Sequence, residues 1–75
     1  MELRDKIIAL IADVLGVEPA VITEDTKMED VEEWDSLMHV MIIGELESRL
    51  GISIDLEEAA EMESVSEILE KAGAV

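Results

Sequence analysis

The sequence predicts a small all-α protein, a four-helix bundle with a long loop between the first and second helices and a short third helix. Apolar residues recur three and four apart in separate stretches, and residues that start or stop helices stand at the ends of those stretches. No stretch alternates apolar with polar residues for long enough to make a strand. Residues 1–75 read as one domain, because a chain this short closes a single core.

From Leu3 onward, Ile7, Leu10, Ile11 and Val14 fall on one stripe at about 100° per residue, which defines helix one. Gly16 stands just past the stripe as a C-terminal stop, and Pro19 discourages continuation. Residues 17–34 form a long connection that mixes turn formers and acids with apolar anchors at Val21, Ile22, Met28 and Val31. Loops of that length are usually functional or tied down. The second helix is capped by Asp35, begins at Ser36 and runs to Leu50 before Gly51. Ile52 and Ile54 are too few to make a strand and read as loop anchors. Asp55 with Glu58 spells a capping box for a short third helix over residues 56–62, and Ser64 with Glu67 spells another for the fourth. Val65, Ile68, Leu69 and Ala72 give that last helix its buried face.

Apolar residues make up 49% of the chain, enough to close one core although Phe and Tyr are absent and Trp34 stands alone. Without cysteine there is no disulfide and no thiolate metal site, which fits a reducing compartment and means that any thiol chemistry is imported. The apolar runs fall well short of the ~20 residues a membrane span needs. Acidic Glu2 and Asp5 occupy the place of a basic leader, so a cytoplasmic location is expected. Twenty acidic residues against five basic ones give a net charge of −15. Nucleic acid and anionic membranes repel such a chain, whereas basic protein surfaces attract it.

The second helix has apolar residues on two sides. Ile42, Ile43, Leu46 and Leu50 form the core face, while Leu37, Val40, Met41 and Gly44 cluster opposite. A bundle helix needs only one apolar face, so the second stripe is either covered by the long loop or is a docking face ringed by carboxylates. Asp35, Ser36 and His39 include the members of a hydrolase triad, but the helical projection turns His39 toward the core. Neighbours on one helix seldom reach the base-to-nucleophile geometry of acyl transfer. His39 is therefore read as a core histidine with its ring satisfied, and no intrinsic catalysis is expected. Trp34, just before the cap, pins the entry of the chain into the helix. The stretch "TEDTKMEDVEEW" lacks the glycine and the oxygen-ligand spacing of a calcium loop, so no specific metal site is expected.

Asp35-Ser36-Leu37 opening the second helix, "ITEDT" in the loop before it, the "ELESRLGISI" exit, and a short third helix before a fourth are features in which the chain resembles the acyl carrier protein family. The resemblance covers nearly the whole length. The tripeptide alone fits any capped helix; joined to four-helix spacing, small size and strong acidity it is specific. The resemblance implies a fold of acyl-carrier type and attachment of 4′-phosphopantetheine from coenzyme A to the Ser36 hydroxyl, flanked by Asp35 and Leu37. It implies acyl or related groups held as thioesters on the arm's thiol, which agrees with the missing cysteine. A helix N-terminus, with free amides and partial positive charge, suits the phosphate.

By the same resemblance, Leu46, Ile54, Ala59 and Met62 line an acyl pocket, with small Ala59 and flexible Met62 leaving room. Leu37, Val40, Met41, Gly44 and Glu47 are then the residues that meet a phosphopantetheinyl transferase and the acyl-transferring and acyl-modifying enzymes of fatty acid, polyketide or related biosynthesis, with the carrier acting as a monomer. Many fatty-acid carriers have acids along the exposed side of this helix where the chain has Met38, Met41 and Gly44, and only Glu45 and Glu47 remain. Docking accordingly leans on apolar contact, and the pathway stays open between housekeeping fatty-acid synthesis and specialised acylation. Two rival readings are a peptidyl or aminoacyl carrier and an acidic helical adaptor that binds partners through the second helix without any prosthetic group.

Repulsion among the carboxylates predicts a fold that tightens as salt screens it. The melting midpoint followed by circular dichroism should rise from low salt to physiological salt and rise further with magnesium; a midpoint indifferent to ionic strength would contradict this.

Overall fold

The computed structural model describes residues 2–74. Four helices follow in order: α1 (Leu3–Leu15), α2 (Ser36–Leu50), α3 (Leu56–Glu61) and α4 (Val65–Lys71). α1 packs against α2 and α4, and the core between them is centred on Ile7, Ile11, Ile42, Leu46, Val65 and Ile68, all essentially sealed from solvent. The predicted stripe of α1 is buried at Ile7, Leu10 and Ile11, while Val14 is half-buried and Ala12 and Leu15 complete the face. On α2 the buried residues are His39, Ile42, Ile43 and Leu46, with Leu50 half-buried at the end. No helix among the described residues is long and apolar enough to cross a membrane.

Helix ends form where the sequence signals them. Gly16, at φ +71°, takes the left-handed conformation that lets its amide and that of Val17 return to Asp13 and Ala12. Gly51, at φ +67°, ends α2 in the same way, with its amide and that of Ile52 bonded to Glu47 and Leu46. Ser64 accepts the Glu67 amide at 3.3 Å, and the Glu67 carboxylate accepts the Ser64 hydroxyl and the Glu63 amide. The box at α4 is thus shifted by one residue. At α3 the expected box does not form: Asp55 accepts the Glu57 amide at 3.4 Å in place of that of Glu58, and the Glu58 carboxylate pairs with Lys71 at 3.8 Å. Met62 is the C-cap of α3 rather than its last helical residue.

The connection over residues 17–34 is tied down rather than loose. It contains two 3-10 turns, Pro19–Val21 and Met28–Asp30, and buries Ile22, Val31 and Trp34, with Met28 half-buried. Val21 does not anchor the loop as expected; it is 54% exposed, because the first turn directs it outward and Ile22 fills the inner position. Thr26, itself buried, receives the Thr23 amide at 2.9 Å on its hydroxyl. The loop is strapped to the junction of α3 and α4: the Met28 amide donates to Glu63, the Val65 amide donates to Thr26, and Lys27 and Ser64 form an isolated antiparallel bridge.

Exposed ion pairs join elements at the surface. Arg4 reaches Glu24 in the loop, and Arg49 of α2 reaches Asp13 of α1 at 2.8 Å as well as its own neighbour Glu45 at 2.6 Å. Hydrogen bonds to Asp13 and then Glu45 raise the Arg49 guanidinium above its ordinary value, so it stays charged throughout. Such exposed pairs add little stability individually, and burial of the core face dominates.

The two sides of α2 should therefore respond differently to truncation. Ile42→Ala, in the sealed core, should lower the unfolding free energy by about 2–5 kcal/mol in urea denaturation, whereas Leu37→Ala, on the opposite side, should change it by less than about 0.5 kcal/mol. Equal losses at the two positions would mean that the stripe is not free.

Candidate functional site

The start of α2 is built by one capping residue. Asp35 adopts an extended backbone, and its Oδ1 accepts the Met38 amide at 2.9 Å while its carbonyl accepts the His39 amide at 2.9 Å. Ser36 is the first helical residue and is exposed. The hydrogen bonds of this turn engage Asp35, Met38 and His39, and none among the described residues engages the Ser36 hydroxyl. The Ser36 and Leu37 amides precede the first intrahelical acceptors and add to the positive end of the helix dipole. The result is an accessible alcohol beside donors that favour an anion, which fits a phosphodiester.

From this serine runs the second apolar stripe, and the long loop leaves it uncovered. Leu37, Val40 and Met41 are 67%, 56% and 46% exposed. Gly44 and Glu47 are also exposed, and a side chain at Gly44 would meet nothing within 4 Å. Glu47 accepts the Ser53 hydroxyl at 3.4 Å. Beneath the helix the residues expected to line a pocket are all buried: Leu46 in α2, Ile54 in the following loop, Ala59 in α3 and Met62 at its cap.

His39 faces inward, as the helical projection requires, and both of its ring nitrogens are engaged. Nδ1 accepts the Trp34 indole N–H at 3.1 Å, and Nε2 lies 2.7 Å from the Ala59 carbonyl. With neither nitrogen directed at Ser36, the three residues do not form a hydrolase triad. Trp34 is buried as well, so it does more than pin the helix entry. Sequence reasoning missed this link between Trp34, His39 and Ala59. The lone Trp and His five residues apart were its signal, but the third partner is a backbone carbonyl, which no residue type announces.

The model of the family described as "Phosphopantetheine attachment site" matches residues 5–71. The chain is similar to the acyl carrier protein of Thermosynechococcus vestitus, 32% identical over 69 residues, or 92% of this chain and 85% of that protein. It is also similar to the non-reducing polyketide synthase tazA of Aspergillus terreus, 33% identical over 64 residues or 85% of this chain. A third relative is the 3-methylorcinaldehyde synthase tropA of Talaromyces stipitatus, 30% identical over 67 residues or 89% of this chain. The chain spans 2% of the length of each synthase. The family match over residues 5–71 and the likeness to an acyl carrier protein over 92% of this chain, in agreement with the four-helix architecture, place this chain in the acyl carrier protein family, whose covalently attached cofactor is 4′-phosphopantetheine.

Proposed function

We propose that Ser36 is the attachment point of the arm and that the protein presents acyl or related intermediates to successive biosynthetic enzymes. The observation that carries this reading is the exposed, uncommitted Ser36 hydroxyl at the start of α2, next to an uncovered apolar stripe. The arm, once attached, supplies a terminal thiol that holds the carried group as a thioester. Everything else falls to the residues of the chain. Asp35 fixes the first turn and sets a negative charge beside the serine, where a basic modifying enzyme is drawn in. Leu37, Val40, Met41 and the open position at Gly44 offer apolar contact, and Glu47 offers charge. Leu46, Ile54, Ala59 and Met62 are the residues available to shelter a carried chain.

A phosphopantetheinyl transferase and acyl-handling enzymes are the partners this role requires. Similarity to an acyl carrier protein and to a polyketide synthase supports a fatty-acid or polyketide type of pathway. The apolar character of the α2 stripe favours a specialised member whose partners dock chiefly by apolar contact. We read the chain as a single-domain, non-catalytic monomer; its lack of cysteine fits the reducing cytoplasm.

Treatment with coenzyme A, magnesium and a broad-specificity phosphopantetheinyl transferase should add the mass of one arm to the wild type and none to Ser36→Ala. An unchanged wild-type mass across several transferases would favour the adaptor that carries no group. Asp35 should separate its two roles. Asp35→Ala should lower stability by about 1 kcal/mol through loss of the cap, whereas Asp35→Asn, which keeps an acceptor, should leave it nearly intact. If the charge also recruits the transferase, Asp35→Asn should still load about tenfold more slowly; loading at the wild-type rate would reduce Asp35 to a cap.

A further inference from the structure

Three buried groups take no part in carrying the arm: the Trp34 indole, the His39 ring and the Ala59 carbonyl. An indole N–H can only donate, so His39 Nδ1 is the acceptor of the 3.1 Å bond from Trp34. A backbone carbonyl can only accept, so His39 Nε2 carries the ring proton and donates it to Ala59 at 2.7 Å. Trp34 and His39 are 3% and 7% exposed, and their ring centroids lie 5.9 Å apart. The imidazole is thereby held in one tautomer and one orientation.

This bond crosses from α2 to α3. α3 has six residues, too few to persist on local propensity, and Ala59 is its one buried residue. The Ala59 carbonyl also accepts the Met62 amide at 3.1 Å, the bond that ends α3. Among the described residues no other hydrogen bond runs between the side chains of α2 and the body of α3. Leu46 on α2, Ile54 in the loop that follows it, Ala59 on α3 and Met62 at its cap are all buried members of the one core. A cargo chain lodging among them must part α3 from α2, which strands a buried N–H and leaves a buried carbonyl short of one donor. A short or polar group gains too little from leaving water to offset that loss.

We propose that His39 is a specificity-determining latch: by tying α2 to the Ala59 carbonyl it keeps the carried group outside the bundle, and this carrier handles short or polar acyl groups rather than long alkyl chains. Trp34 is a positioning residue that aims the imidazole. The latch rests on the reading that Ser36 bears the arm and that the four apolar residues line the shelter.

The test uses the full chain carrying its arm, loaded with an acetyl or a hexanoyl thioester and verified by mass. The rate of thioester cleavage by hydroxylamine is divided by the rate for the same thioester on free pantetheine. In the wild type the two normalised rates should agree, since both groups are exposed. In His39→Leu, which keeps the bulk and removes the donor, the hexanoyl rate should fall about fivefold while the acetyl rate holds, the population shift that one net hydrogen bond carries. A merely structural role for His39 would move both rates together. A wild type that already shields hexanoyl, or a folded His39→Leu that shields neither, overturns the latch. Should His39→Leu not fold, hydrogen exchange of the Met62 amide in the wild type decides. Equal exchange under acetyl and hexanoyl loading supports the latch, and exchange altered by hexanoyl overturns it. Failure of the transferase to load the wild type counts instead against attachment at Ser36.

Discussion

Ile42, Ile43 and Leu46 are driven out of water against Ile7 and Ile11 of α1, and that burial fixes both the position and the rotation of α2. Once the helix is pinned along this side, its other side has no freedom to turn inward. Leu37, Val40 and Met41 remain in solvent because the core has no room for them, and Ser36 is carried at the end of a rigid rod. A swinging prosthetic group needs such a rigid base, because the arm supplies reach and the protein must supply direction. The same packing explains why the serine sits on a helix: an isolated loop would leave the hydroxyl equally open but would not aim the amides of a first turn at an anion held there, as the proposed attachment requires.

The charge distribution works on a longer scale. Fifteen net negative charges on a domain this small make the potential around α2 negative, which favours the approach of basic surfaces. Arg4, Arg49 and Lys71 are committed to ion pairs that bridge one element to another, to Glu24, to Asp13 and to Glu58, and Arg49 also pairs with Glu45 within α2. These pairs relieve repulsion where strands of chain converge and leave the region around Ser36 acidic. Under the proposed carrier role, recognition divides between long-range attraction, which any basic partner shares, and the shape of the apolar stripe.

Much of this was legible beforehand. The helical repeats of Ile7, Leu10 and Ile11, and of Val65, Ile68 and Leu69, located α1 and α4 because packing onto one core enforces that spacing. Asp35, Ser36 and the two-sided pattern that follows placed the candidate site for the same reason. What escaped depended on distant partners or on local turn geometry that residue type does not announce. The strap from Thr26, Lys27 and Met28 to residues 63–65 involves too few residues to leave a pattern. Val21 and Ile22 are equivalent in hydrophobicity, and only the geometry of the turn at Pro19–Val21 decides which one is buried. Glu58 lay at the right spacing for a capping box, but Lys71, brought near by α4, took it instead.

The lone indole makes one property of the molecule accessible to simple optics. With no tyrosine or phenylalanine present, all aromatic emission comes from Trp34, two residues from Ser36. Its ring is dry and its N–H is held by an imidazole, so the native spectrum belongs at the blue end of the tryptophan range. Any event that loosens the entry to the second helix admits water to that ring and shifts the colour, which gives this protein an intrinsic reporter of its own state without an added dye.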